Sequence, residues 1–151
     1  MKTKLLLIAG IVLLSACTNT PQWKYPITTI NGATPPGKLQ TLVNTSTMLD
    51  TKQSDGLRLL VTKGTRLAGT RVAIHVHEYG GHTCVLSGEI TDFVEGKASG
   101  HYPAGTCYYM PAYTPMSASN LGKEDAVLID TFVLPFGAPP ITIMEPGYNV
   151  K

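Results

Sequence analysis

From Leu57 onward the chain alternates short apolar, β-branched stretches with breaks marked by Gly and Pro. Residues 57–62 (LRLLVT) read as one strand. Residues 71–77 (RVAIHVH) read as another, with side chains alternating at a period of two. Gly80-Gly81 interrupts the pattern before a strand at 83–86. Ser87-Gly88 is a turn pair, and 89–94 (EITDFV) follows it. Further strands are predicted at 97–102, at 106–110 (TCYYM, after Ala104-Gly105), at 116–120 and at 126–133. Strands recurring at intervals of about ten residues predict an all-β sandwich or barrel of antiparallel strands. Residues 38–55 carry Leu39, Leu42 and Val43 and fit either a helical turn or a short edge strand. Residues 18–37 are rich in Thr, Pro, Asn and Gly and read as an extended tether. The tail, 135–151, is predicted to wrap the barrel irregularly. The sequence shows no internal repeat.

The start of the chain changes this picture. Lys2 and Lys4 precede an apolar run from Leu5 to Leu14, which is too short for a permanent membrane span. The run ends in Leu14-Ser15-Ala16-Cys17, which resembles the bacterial lipobox. The resemblance implies acylation of Cys17, cleavage before it, and a membrane anchor of several acyl chains, each buried CH₂ contributing roughly 0.8 kcal/mol. Thr18 rather than Asp at the next position implies, for a Gram-negative host, an outer-membrane lipoprotein facing the periplasm. The expected organisation is a signal peptide at 1–16, then lipidated Cys17, tether and N-terminal extension to 55. A barrel at 56–134 and a C-terminal extension at 135–151 complete it. Trp23 and Tyr25 fit either docking on the barrel or a place near the lipid headgroups.

Composition bears on partners and size. The 151 residues fit one domain. The net charge of +2 comes from Lys2 and Lys4, so the processed chain would carry ten basic and ten acidic side chains. Without clusters of Lys and Arg, nucleic acid is excluded as an expected partner. Charged residues make up 15% of the chain, below the roughly 25% of an average soluble domain, so the few that fall inside apolar strands carry information.

Three of the four histidines lie within eight residues: His75, His77 and His82. On a strand, residues two apart share a face, so His75 and His77 converge as a chelate requires. Gly80-Gly81 can turn the chain so that His82 joins them. The alternative is a set of histidines satisfied on an ordinary β-surface.

At this point the sequence resembles the cupin superfamily. The first cupin motif is matched by Gly69, five residues, His75-Val76-His77, four residues, His82, five residues and Gly88. The second is matched by Gly105, five residues, Pro111-Ala112-Tyr113, two residues, Met116, three residues and Asn120. The match spans about residues 56–134 and implies a cupin-type antiparallel β-barrel, the double-stranded β-helix or jelly roll. Carried over position by position, the metal ligands would be His75, His77, His82 and Met116. His82 stands where the family has Glu and Met116 where it has His, and Tyr113 replaces a Gly. These exchanges trade a hard carboxylate for softer donors and favour copper over manganese or magnesium, with copper, iron, zinc and nickel as the ions the resemblance implies. Met116 fits equally a hydrophobic plug. A homodimer through edge strands is also implied by resemblance alone.

If His82 points inward, Cys84 does too and lines the cavity, where it could serve as a further soft donor. Cys84 and Cys107 either form a disulfide, closing a loop of about 24 residues and contributing roughly 3 kcal/mol, or remain small buried thiols. Of the successive Tyr108 and Tyr109, one must face the cavity. Glu78, at the end of the His-x-His strand, fits either a general base at the cavity mouth or a solvated loop acid, and His101 reads as a surface group. No nucleophile triad, phosphate loop or catalytic carboxylate pair is present in the sequence. Two functions fit: an envelope-anchored cupin binding a metal and a small molecule, or a metal-dependent enzyme of dioxygenase-like or isomerase-like type.

Overall fold

The computed structural model describes residues 25–148. The signal segment, Cys17 and Trp23 lie outside the described residues. Twelve strands and no helix occur among them. They are β1 (Lys38–Leu39), β2 (Val43–Lys52), β3 (Leu57–Arg66), β4 (Thr70–Arg71), β5 (His75–Val76) and β6 (Gly81–Ser87). They continue as β7 (Glu89–Val94), β8 (Gly100–Pro103), β9 (Cys107–Met110), β10 (Met116–Ser119), β11 (Ala126–Pro135) and β12 (Thr142–Ile143).

Two sheets share these strands. In one, β2, β3, β11, β6 and β9 pair in that order, all antiparallel. In the other, β8 pairs with β7 and β7 with β10, while β4 and β5 follow one another along the far edge of β10. There β1 runs parallel to β4, and β12 pairs antiparallel with β5. The inward positions of both sheets meet in the main core, which includes Leu60, Val85, Ile90, Leu128 and Leu134. Each such side chain, fully buried, contributes roughly 1.5–3 kcal/mol.

The turn after β6 shows why glycine is needed there. Gly88 has φ +71°, and a Cβ on it would lie 2.8 Å from the backbone of Asp125 and Ala126. A left-handed backbone and close approach of a neighbouring chain both demand a residue without a side chain.

Several elements differ from their predicted form. Of the two forms that segment 38–55 fits, the edge strand is the one found, and it is extended: the short edge strand β1 holds Leu39, and the ten-residue β2 forms the edge of the other sheet beside β3. The predicted strand 71–77 is divided between β4 and β5, because residues 72–74 leave the ladder. The strand expected at 97–102 begins at Gly100.

The described part of the N-terminal segment packs against the barrel. Ile27 and Ile30 join Ile74, Val76, Phe93 and Met144 in a second cluster. Ile74 and Val76 alternate with His75 and His77, so this cluster covers the outer face of the sheet whose inner face carries the histidines. Asn31 pins it further, giving Nδ2–H bonds to the carbonyls of Val94 and Lys97 and accepting from the Gly96 amide at 2.7 Å. Tyr25, by contrast, is exposed. At the other end, Glu145 takes a bidentate bond from the buried Arg71 guanidinium (2.6 and 2.7 Å) and accepts the Ile74 amide. Burial alone would raise the Glu145 carboxyl, but Arg71 and the Ile74 amide outweigh it and hold it below its ordinary value.

Candidate metal centre and ligand cavity

A cavity of about 370 Å³ lies between the inner faces of the two sheets. His75 and His77 line it, and both are buried. The His-x-His spacing places both rings on one face, as a strand of period two requires. His75 Nδ1 lies 2.7 Å from the carbonyl of Ala73, and His77 Nδ1 lies 2.7 Å from that of Pro140. A carbonyl only accepts, so the hydrogen-bond network assigns the proton of each ring to Nδ1. Both Nε2 atoms then carry lone pairs, and they face each other at 3.1 Å.

Two lone pairs at that distance repel unless something positive lies between them. A proton is a poor solution. Burial, with the neighbouring His77 ring, pushes the His75 pKa down to about 3, and burial also lowers that of His77. A metal ion would satisfy both atoms. The separation of 3.1 Å is one that two nitrogens, each about 2.0–2.1 Å from a single ion, can span. The backbone carbonyls on Nδ1 are the outer partners that orient metal-binding imidazoles.

The remaining proposed ligands are placed differently. Met116 is fully buried, lines the cavity and stands opposite His75 in the pairing of β10 with β5. His82 does not join the histidine pair. Its side chain is exposed and lies against the Tyr109 ring, with centroids 5.2 Å apart. The inward positions of β6 are Gly81, Thr83 and Val85, one residue out of phase with the expected set. For the same reason Cys84 does not line the cavity and Leu86 is exposed. Cys84 is joined to Cys107, its direct partner across β6 and β9. Of the two tyrosines, Tyr108 lines the cavity and Tyr109 is exposed outside it. His101 is a surface group bonded to Glu89 at 3.2 Å, and Glu78 is exposed. Among the described residues no three His, Cys, Asp or Glu side chains form a metal-holding group.

Sequence reasoning missed the polar end of the cavity. Arg66 ends β3 and is buried, and Asp130 occupies an inward position of β11. Thr83 Oγ1 donates to Asp130 at 2.6 Å, and the Arg66 guanidinium donates to the carbonyl of Gln40. Burial raises the Asp130 carboxyl above the usual range, with Thr83 and Arg66 opposing it, and burial raises the Tyr108 hydroxyl too. The signal was in the strand pattern: a charge inside the apolar run of 126–134 must be either on the outer face or in a polar cavity. Asn120, which ends the second motif, is fully buried and donates to the carbonyls of Arg66 and Glu124.

No protein-family model matches the sequence, and no curated protein does. Solved structures do resemble the fold. One is an uncharacterized conserved protein with a double-stranded β-helix domain from Klebsiella pneumoniae, 24% identical, with a TM-score of 0.53, covering 80% of this chain and 91% of that one. Another is a cupin family protein from Methanocaldococcus jannaschii, 14% identical, with a TM-score of 0.52, covering 76% of this chain and 92% of that one. A third is the DMSP lyase DddQ from Ruegeria pomeroyi, 16% identical, with a TM-score of 0.52, covering 59% of this chain and 44% of that one. These likenesses establish the all-β, cupin-type double-stranded β-helix.

Proposed function

We propose that this protein is an envelope-anchored cupin that holds a transition-metal ion on His75 and His77 and takes a small organic molecule beside it. The anchor is the acylated Cys17 implied by the lipobox-like segment. The observation that carries the metal reading is the facing pair of Nε2 atoms, each with its proton committed elsewhere on the ring. Met116 supplies a thioether from the same cavity, and imidazole with thioether favours copper over harder ions. With His82 outside, the protein donors are His75, His77 and Met116, and further positions are left to the small molecule or to water. The cavity volume lies at the small end of the range for ligand pockets.

The test is metal reconstitution of the full chain in detergent, offering Cu(I), Zn(II), Fe(II) and Ni(II) separately. The expected result is about one equivalent of a single preferred ion, lost in His75→Ala and in His77→Ala. Uptake below about 0.2 equivalents of every ion overturns the reading.

A second reading, a metal-dependent enzyme, is favoured by one observation: coordination positions not filled by protein open onto a cavity that also holds the Tyr108 hydroxyl. When bound, the metal would act as a Lewis acid on the organic molecule. Tyr108 would orient that molecule by hydrogen bonding. DddQ, one of the structures of similar fold, is a lyase. Substrate turnover that requires the metal and falls in Tyr108→Phe would establish this reading; a bound molecule recovered unchanged would reject it.

A further inference from the structure

Arg66 is a buried cation without a carboxylate partner. It is 3% exposed, it lines the cavity, and no Asp or Glu oxygen lies within 4.0 Å of it among the described residues. Its hydrogen bond goes to a neutral group, the carbonyl of Gln40, and the Tyr148 side chain lines the same cavity. A buried guanidinium held only by neutral acceptors keeps most of its desolvation cost. The neighbouring arginine shows the contrast in charge: Arg71 is buried to the same degree and carries the Glu145 carboxylate on its two terminal nitrogens, its Nε alone being without a partner.

What surrounds Arg66 defines the missing partner. The hydroxyls of Tyr108 and Tyr148 and the carboxyl of Asp130 share the cavity with it. Apart from the histidine pair and several threonines, the other walls are apolar, among them Leu42, Met110, Leu128 and Phe132. We propose that the cavity selects a small carboxylic acid with an apolar body, its carboxylate received by Arg66 and Tyr108 and its hydrocarbon part lying against the Leu128 and Phe132 side. This inference rests on the reading that the cavity takes an organic molecule, and names its chemical class. Arg66 suits the role because its planar fork matches a carboxylate and delivers charge-assisted hydrogen bonds. Asp130 does not forbid an anion there. Its Oδ1 is taken up by the Thr83 hydroxyl at 2.6 Å, and none of its oxygens lies within 4.0 Å of the guanidinium, so it does not occupy the Arg66 fork.

The experiment is calorimetric titration of the full chain in detergent with butanoate, hexanoate and benzoate, and with the matching neutral amides. Each is run on metal-stripped and on metal-loaded protein. The acids are expected to bind at least about tenfold more tightly than their amides, since one charge-assisted contact separates them. Arg66→Met should abolish that preference and Arg66→Lys should retain part of it. The comparison of acid with amide on the unmodified protein needs no variant, so a misfolded Arg66→Met does not remove the test. Equal binding of acids and amides, no binding of any acid at millimolar concentration, or an intact preference in a folded Arg66→Met overturns the proposal. Acid preference on a protein that takes up no metal supports this proposal and overturns the metal reading alone. Metal uptake with no acid preference overturns this proposal alone.

Discussion

Met116 stands directly across from His75 in the antiparallel pairing of β10 with β5, and both side chains line one cavity. Opposed residues in such a ladder have Cβ atoms about 4.5–5.5 Å apart, within reach of a shared ion. Met116→Leu keeps volume and burial and should cost less than about 1.5 kcal/mol of stability. It should lower Cu(I) affinity by about tenfold and leave Zn(II) affinity nearly unchanged, because only the soft ion gains from the thioether. Competition with a chromophoric chelator measures both; equal Cu(I) affinity in the variant removes Met116 from the ligand set.

The placement of His82 gives a sharper contrast. His82→Ala removes an exposed ring resting on Tyr109 and should leave metal uptake at the level of the unmodified protein. His77→Ala removes a buried donor and should abolish uptake. Loss of binding in His82→Ala would mean that β6 carries its side chains in the opposite phase.

The disulfide offers a test of the same register. Cys84 and Cys107 are 23 positions apart and directly opposed on β6 and β9. Replacing both with Ser should destabilise the fold by roughly 3 kcal/mol, the loop-closure entropy of a ring of this size. Denaturant unfolding with and without reductant measures it. Metal affinity should not change, since Cys84 lies away from the cavity.

Asp92 sets a pH dependence. It is buried on β7, its Oδ1 has no hydrogen-bond partner, and burial raises its pKa to about 7 against the bonding of the Phe93 amide and the charge of Lys97. A carboxyl raised in the folded state binds its proton more tightly there than when unfolded. Its contribution is complete below the unfolded value near 4 and is lost as pH rises to about 7. The buried His75 and His77 act in the opposite sense, losing stability as pH falls below 6.5. The difference between Asp92→Asn and the unmodified protein therefore isolates Asp92. The variant should gain relative stability from pH 4 to 7, on the order of a few kcal/mol, in unfolding titrations at several pH values. A pH-independent difference would show that Asp92 stays ionised in the fold.

The barrel and the histidine pair were legible because both follow from period-two alternation. That rule places His75 and His77 together whatever lies around them. The phase of β6 was not legible, because Gly80-Gly81 reads as a turn and Gly81 with it. In the fold it is the first inward residue of the strand. A Cβ there would lie 2.7 Å from the Phe132 ring and 2.8 Å from the Met110 methyl, so those side chains fill the place that a ligand side chain at 81 would take. Glycine carries no polarity by which a sequence reader can assign it to a face. Once Gly81 and Thr83 point inward, His82 and Cys84 must point out. Tyr108 and Cys107 are fixed in the same way across the β6–β9 ladder.

Arg66 and Asp130 were hidden for a different reason. They lie on β3 and β11, distant in sequence from either motif, and are brought to the cavity by a ladder that pairs Arg66 with Ala126 and Thr62 with Asp130. Similarly, Ile27 and Ile30 lie in a stretch whose Thr, Pro and Gly content reads as linker, although two isoleucines suffice to dock it.

The carbonyl of Pro140 belongs to the chain's tail yet fixes which nitrogen of His77 carries the proton. On the proposed metal reading, tail and metal would be two ligands of one imidazole, bound on opposite sides of the ring. Peeling away the segment that Arg71 and Glu145 clamp would free the Nδ1 proton to exchange sites and blunt the chelate. Metal loading should accordingly slow amide exchange at Met144, whose N–H is held by the Ile74 carbonyl 2.8 Å away, although no metal donor lies in that stretch.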